Sequence, residues 1–513
     1  MALSKTHSIG LFGLAGTPIE IEADISAQLP SFVLVGLPDT SLAEATSRVR
    51  AACTNSGHPF PSQKVVVNLS PASVPKSGAS FDLAIAVAVL VAMQVIPTSS
   101  VEGKCFIGEL GLDGSVRPVP GVLPMTVAAR RAGFDQVVVP NGNLAEAALV
   151  DGIGVASVGR LSNLVAYLRG EIPPHEEEIE PPTGASETPA FLPDLDQVIG
   201  QPFSVEGLVV AAAGGHHISM IGSPGSGKTM LAERMATILP QLSTEQAIEL
   251  AAIESIAGDG QHAIELNFRP RFQAPHHSAS RAALIGGGSG VPRPGAVSLA
   301  HHGVLFLDEA LEFQSSVIDS LREPLESGRV VINRSAGVAR FPARFQLVLA
   351  ANPCPCGNFN VTGKLCTCSP QMVRRYANRL SGPIMDRIDI RLPVHPARIS
   401  EVVGLGAPST TSAEAAARVR LARETARDRL APHGVTLNAH LPGPLIRKYL
   451  RLSPKATSDL DKLVAKGVIS MRGYDRCLRL AWTLADLDGV GRPTGEHVQR
   501  AVVLRGADAS RGA

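Results

Sequence analysis

Apolar and polar positions alternate differently in three stretches of this chain. Up to about residue 170, runs with alternating or β-branched character, Ile19 to Ile25 and Lys64 to Leu69, predict strands. Between and after them, Ser41 to Asn55 and Phe81 to Met93 predict helices; the second is nearly all apolar and is expected to be buried. From about residue 191 the pattern changes to short wholly apolar runs, His217 to Ile221, Val304 to Leu307 and Phe345 to Ala350, separated by helical segments such as Met230 to Leu239. Strands of that kind, buried on both faces, predict a parallel sheet with helices on either side. Beyond about Pro396 the pattern is wholly helical. Thr411 and Glu414 form a capping box before an Ala/Arg-rich run to Leu430, and Ser453 with Pro454 suits the start of a helix that Gly467 can stop. Further helices fit Tyr474 to Leu487 and Gly495 to Leu504.

The segment from Glu171 to Ala190 is acidic and rich in Pro, Ser and Thr, and reads as a linker. The expected organisation is therefore an α+β domain over 1–170, a linker over 171–190, an α/β core over 191–395 and a helical domain over 396–513. A length of 513 residues suits two or three such cores, and 45% apolar residues can fill them. The longest apolar run, Leu83 to Met93, is too short to cross a bilayer, and the first residues lack the pattern of a secretory signal, so no membrane is expected and the cytoplasm is the default compartment.

Charge alters this picture only through its distribution. The formal net charge is +1, yet no Asp or Glu occurs between Ser327 and Met385, where Arg329, Arg334, Arg340, Arg344, Lys364, Arg374, Arg375 and Arg379 lie. Leu266 to Leu307 is likewise acid-free and holds Arg269, Arg271, Arg281 and Arg293. Concentrated positive surface attracts polyanions, nucleotide phosphates and nucleic acid included; internal ion pairs and a solvated face are the other readings.

The chemistry is concentrated in one loop and the strands beside it. Gly222-Ser223-Pro224-Gly225-Ser226-Gly227-Lys228-Thr229 satisfies G-x-x-x-x-G-K-[ST] between a strand and a helix, the context the motif needs. Glycines let successive N–H groups face phosphate oxygens, Lys228 neutralises the β and γ phosphates, and the Thr229 hydroxyl ligates Mg²⁺. In Val304-Leu-Phe-Leu-Asp308-Glu309, a buried strand delivers two carboxylates to its C-terminal end: Asp308 for the metal, Glu309 for the attacking water. Asn352, after the next strand, is placed to hold that water. ATP and Mg²⁺ are the implied ligands. Cys354, Cys356, Cys366 and Cys368 form two C-x-C pairs, the ligand set of a structural Zn²⁺ holding an insertion too small to own a core; buried free thiols and a redox pair are the competing readings.

These motifs resemble the AAA+ branch that holds the magnesium chelatase ATPase subunit and the minichromosome-maintenance helicases, and more closely the YifB/ComM family of Mg-chelatase-like ATPases. Phe32 to Thr40, Val67 to Leu83, Ala274 to Gly288, Arg293 to Glu309, Ile384 to Ile390 and Arg472 to Leu487 carry the likeness over essentially the whole chain. The resemblance implies a P-loop AAA+ sheet with a helical lid. It assigns Arg387 as an arginine finger reaching a neighbouring subunit in a ring, expected to be a hexamer. It assigns Arg472 as the lid arginine called sensor 2, with Arg476 and Arg479 as runners-up. It also implies a Lon-protease-like N-terminal domain. Val74 to Ser80 matches the loop bearing the Lon nucleophile, and Val116 to Leu123 matches the segment bearing its lysine. Ser80 falls at the nucleophile, but Leu123 stands where the lysine should be, and neither Lys76 nor Lys104 matches the motif. Leucine cannot deprotonate Ser80, so an inactive domain kept for assembly or substrate binding is expected. The resemblance further implies DNA translocation, with branch migration in recombination or natural transformation as the family role. A motor for metal insertion and a protein remodeller are the alternatives. The loop Leu284 to Gly290 contains no aromatic residue to grip polypeptide, which argues against the remodeller.

Overall fold

In the N-terminal part, Ser4–Phe12 and Ala15–Ser26 form an antiparallel hairpin that continues through Lys64–Ser70 to Ser31–Val35, in the spatial order first, second, fourth, third. This computed structural model describes residues 3–36, 40–71, 76, 78–173, 193–258, 266–288, 292–334, 337–359, 365–397 and 410–506. The helix Asp82–Ala92 lies under the sheet with every residue buried. Four alanines and a length of 11 residues make it a helix despite its β-branched content. Ser4 and Thr6 on the first strand donate their hydroxyls to the carbonyls of Ala88 and Ala84, at 2.6 and 3.0 Å. Asp82, fully buried, is gripped by Arg48 from the helix Thr40–Asn55 at 2.6 and 3.1 Å. A second, parallel sheet joins Lys104–Phe106, Gln136–Pro140 and Gly154–Val158. The acidic stretch expected to be a linker, 171–190, lies outside the described residues beyond 173.

The ATPase-like part is built on a five-stranded parallel sheet in the order Phe272–Gln273, Val304–Leu307, Gln346–Ala351, Ile218–Ile221, Ile390–Pro393. The apolar runs noted above supply its three central strands, each wholly or almost wholly buried. The two outer strands are absent from the expectations: Phe272–Gln273 is two residues long, and Ile390–Pro393 is interrupted by Arg391, so neither carries a readable period.

The C-terminal helices agree closely with expectation. Ser412–Leu430 carries the Thr411/Glu414 capping box, Ser453 caps Pro454–Ala465, and Gly467 follows in a left-handed conformation. Met471–Leu487 begins three residues earlier than the pattern predicts, because Ser470 caps it by accepting from the Gly473 N–H. These helices share one hydrophobic core with the sheet through Pro202–Gly214, so no separate core divides them from it.

The N-terminal part docks on this body at two places. Leu123 and Val150 pack with Ala251 of the helix Thr244–Ala257, and the Gly121 N–H donates to the Ser255 carbonyl at 3.1 Å. The turn of the first hairpin, with Phe12 and Leu14, packs on the core beside the hairpin Arg329–Arg334/Gly337–Pro342. Leu123, standing where the resemblance expects a catalytic lysine, is therefore fully buried in an interface. Ser80 is 8% exposed.

One buried ion pair ties the sheet to the C-terminal helices. Asp389, 1% exposed, accepts from Arg476 of Met471–Leu487 and lies 3.2 Å from His216. Burial alone would raise its pKa, but the Arg476 guanidinium and His216 hold the carboxyl well below the ordinary range. Because the folded pKa lies below the unfolded value of about 3.9, the stabilisation is complete above that pH and is lost as pH falls through the folded value. Asp389→Asn is expected to cost about 3–5 kcal/mol at pH 7, since it strands a buried cation. Urea unfolding at pH 7 and again below about pH 4 checks this; the gap between the two proteins should narrow at the lower pH.

Candidate nucleotide site

Every sequence-predicted phosphate and metal residue emerges at the C-terminal edge of the five-stranded sheet. Ile221 pairs with Ala351 and Leu307 with Leu349, so Gly222, Asp308 and Asn352 leave their strands side by side. Gly225 and Gly227 take φ values of 75° and 89°, a left-handed curl open to glycine, and the helix Lys228–Ile238 starts directly after them. Its N-terminal N–H groups and dipole face the loop, the arrangement that binds phosphate. Lys228 is 9% exposed and donates to the carbonyls of Gly222 and Ser223 at 2.8 and 3.0 Å and to the Asn352 amide oxygen at 3.2 Å. Burial lowers its pKa, while Asp308 and Glu309 oppose the shift. Thr229 donates its hydroxyl to Asp308 at 2.9 Å. That hydroxyl–carboxylate pair is the donor set a Mg²⁺ ion needs beside a triphosphate, so the residues fit the ligands implied by the motif.

Glu309 sits at φ 49°, in the left-handed region that a non-glycine residue occupies at a cost. Its carboxylate lies 3.2 Å from His277. Two residues here went unassigned in the sequence. His277 is in the quoted Ala274 to Gly288 stretch, but only the fold brings it to Glu309. Gln201, 8% exposed, donates to the Ser226 carbonyl at 2.7 Å and braces the loop from the preceding helix. A single glutamine has no motif to announce it.

The arginines lie elsewhere. Arg387 precedes Ile390–Pro393, so it stands at the N-terminal edge, separated from the phosphate loop by about 13 Å of strand. It pairs with Glu326 and donates to the Pro383 carbonyl at 2.7 Å. A cavity of about 530 Å³ opens at this edge, lined by Arg344, Arg387, Asp389, Arg476 and Arg479 among others. Arg472, exposed, lines an adjoining cavity with Arg387 and Arg479. Arg476 donates to the Asp389 carboxylate and to the Arg387 carbonyl. The two cavities that hold these arginines include no residue of Gly222 to Thr229.

Among the described residues, two side-chain clusters have the composition of metal sites. The sulfurs of Cys354, Cys356, Cys366 and Cys368 lie within 4.8 Å of one another, and three of the separations are 3.4, 3.7 and 3.6 Å. Tetrahedral Zn²⁺ with Zn–S of about 2.3 Å needs sulfurs about 3.8 Å apart. Backbone N–H groups of Phe359 and Asn358 point at the Cys354 and Cys356 sulfurs, as they do around metal-bound thiolates. The second cluster is Glu249, His301 and His302. Here the His301 Nδ1 accepts the Arg344 backbone N–H at 2.9 Å, so in the neutral ring Nε2 carries the hydrogen and gives it to Glu249 at 3.2 Å. That nitrogen has no lone pair for a metal, and the cluster is a structural hydrogen-bond group.

Fold and site together define a P-loop ATPase-type protein of the AAA+ class. Residues 194–402 match the family of magnesium chelatase subunit ChlI, 21–143 match a second ChlI-subunit family, and 409–505 match the ChlI C-terminal family. An uncharacterised protein of Mycobacterium tuberculosis is 47% identical over all of both chains. YifB of Escherichia coli is 40% identical over 99% of this chain and 98% of its own, and competence protein ComM of Haemophilus influenzae is 38% identical over 98% of each. A short stretch is 48% identical to archaeal Lon protease of Archaeoglobus fulgidus, covering 10% of this chain and 9% of that one. The chain belongs to the YifB/ComM family of Mg-chelatase-like AAA+ proteins, with a Lon-like N-terminal part. Among the described residues, no helix is long and apolar enough to cross a membrane.

Gln201→Ala should weaken binding of a fluorescent ATP analogue several-fold, the worth of one buried hydrogen bond of about 1 kcal/mol, with the thermal transition little changed. Equilibrium titration of the purified variant checks this.

Proposed function

We propose that this chain is an ATP-driven motor acting as a homo-oligomeric ring, hexameric by family resemblance, that moves forked or branched DNA in recombination or natural transformation. In this reading Gly222 to Gly227 cradle the triphosphate, Lys228 neutralises it, and Thr229 and Asp308 hold Mg²⁺. Glu309 polarises the attacking water and Asn352 positions it. Binding and positioning, rather than covalent chemistry, supply the acceleration. His277 holds the Glu309 carboxylate. Arg387, at the opposite strand edge from its own phosphate loop, acts on the nucleotide of the next subunit, and Arg472 beside it serves the same site as sensor 2. The part over 1–170 is an inactive Lon-like domain, attached for assembly through the buried Leu123. The parts over 191–395 and 396–513 form the motor and its helical extension.

The observation that carries the DNA reading is a pair of joined hairpins. Arg329–Arg334 and Gly337–Pro342 expose Arg329, Arg334 and Arg340, and Arg334 donates to the Gly288 carbonyl at 2.9 Å, tying this hairpin to the small one formed by Gly286–Gly287 and Arg293–Pro294. Among the described residues, none of Arg293, Arg329, Arg334 and Arg340 has an acidic side chain within 4.0 Å. Exposed guanidiniums without acidic partners suit a phosphate backbone read without regard to base sequence. The name of the competence protein ComM points the same way. The ChlI family matches favour the second reading, a motor for metal insertion, which predicts no response to DNA.

ATP hydrolysis should rise with forked or single-stranded DNA at about 50 mM salt and lose most of that stimulation near 200 mM. Arg340→Ala should weaken DNA binding and reduce the salt slope by about one. Glu309→Gln should bind ATP yet hydrolyse it slower by roughly 10²-fold or more, and strand displacement on a forked duplex should vanish in Lys228→Ala. A protein that neither binds DNA nor responds to it at low salt is not this motor.

Arg387→Ala alone should lose at least about 10³-fold in turnover, as removal of an arginine finger does. Mixed with Lys228→Ala subunits it should recover part of the activity, because each variant supplies what its neighbour lacks. Failure of the mixture to exceed the two separate activities would place Arg387 outside the neighbour's site.

A further inference from the structure

The chain between the sensor asparagine and the cysteines runs directly over the phosphate loop. Gln346–Ala351 ends, Asn352 reaches Lys228 at 3.2 Å, and Cys354 follows two residues later with no exposed surface. A tight turn closes there: the Gly357 N–H donates to the Cys354 carbonyl at 2.9 Å, and the Phe359 N–H donates to the Cys354 sulfur at 3.3 Å. Gly357 takes φ 76°, and a Cβ on it would stand 2.4 and 2.7 Å from Cδ and Cγ of Pro224. Its bare backbone is therefore seated on the proline ring of the phosphate loop. One short segment thus touches that loop at both ends, Pro224 through Gly357 and Lys228 through Asn352.

Among the described residues of the segment, Phe359 and Leu365 are 39% and 90% exposed and add no core of their own. The four sulfurs are placed to fix its shape, and thiols this close cannot all ionise without a cation to balance them.

We infer that the four-cysteine segment is a clamp on the phosphate loop, so that metal occupancy of Cys354, Cys356, Cys366 and Cys368 and nucleotide binding at Gly222 to Thr229 are thermodynamically linked. This rests on the nucleotide-site and four-cysteine readings above. It goes beyond a purely structural metal, because the metal governs a neighbouring site through Gly357 as a positioning residue. Linkage is reciprocal: the factor by which the metal tightens the nucleotide is the factor by which the nucleotide tightens the metal.

The test uses the full-length protein. Fluorescent ATP-analogue affinity is measured in the zinc-loaded protein, after removal of zinc by a chelator, and after zinc is restored. Affinity should fall about tenfold without zinc and return with it, and the analogue should raise zinc affinity by the same factor. Gly357→Ala should keep four-sulfur zinc binding but weaken the nucleotide. Gly489→Ala, at φ 67° with nothing within 4 Å, bears the same backbone cost and should leave nucleotide affinity unchanged. Gly357→Ala should also cost less in a Pro224→Ala background, since the ring it strikes is gone.

Unchanged nucleotide affinity in folded, zinc-free protein overturns the clamp and leaves the nucleotide site standing. If removal of zinc unfolds the chain, the Gly357→Ala arm decides: an effect no larger than that of Gly489→Ala overturns the clamp. Failure of the protein to take up zinc overturns it through the metal reading. A zinc-loaded protein that binds no nucleotide overturns both the clamp and the motor.

Discussion

The register of three parallel strands is the constraint on which the site depends. Ile218–Ile221 lies between Gln346–Ala351 and Ile390–Pro393, with Val304–Leu307 one strand further out, and all are buried between helices. Because strand residues alternate in direction, a slip of one residue would turn Gly222, Asp308 or Asn352 away from the others. Burial of these strands holds the register, at about 1.5–3 kcal/mol for each large apolar side chain removed from water. Lys228 then finds the Asn352 amide, and Thr229 finds Asp308, without any movement of the chain.

The same parallel geometry places two groups of charged residues at opposite ends of the strands. Asp308, Glu309 and the phosphate loop occupy one edge of the sheet; Arg344, Arg387 and Arg479, with Glu326 and Asp389, line a cavity at the other. Asp389 anchors the second edge by holding Arg476, which fixes the helix Met471–Leu487 that also carries Arg472 and Arg479. The C-terminal helices share their core with the sheet.

In the N-terminal part, Leu123, which the Lon resemblance aligns with the position of a lysine, is an apolar residue that packs against Ala251 of the helix Thr244–Ala257. Glu249 on that helix meets His301 and His302 just before the strand Val304–Leu307, which Asp308 follows.

Local pattern alone determined the phosphate loop, the three central strands, the acid pair, Asn352, the caps of the C-terminal helices and the four cysteines. Each of these is written in neighbouring residues: glycine spacing, unbroken apolar runs, or a side chain bonding to a backbone group three positions away. What only the tertiary structure decided is everything that joins distant segments. The edge strands Phe272–Gln273 and Ile390–Pro393 are too short to show a period. Gln201, His277 and Gly357 acquire their places through packing across the sheet edge, and of the three candidate lid arginines only the fold shows that Arg476 is already held by Asp389. The physical reason is range. Hydrogen bonds along the chain leave a mark in sequence spacing, whereas contacts between segments far apart in sequence are set by the burial of whole faces and leave none.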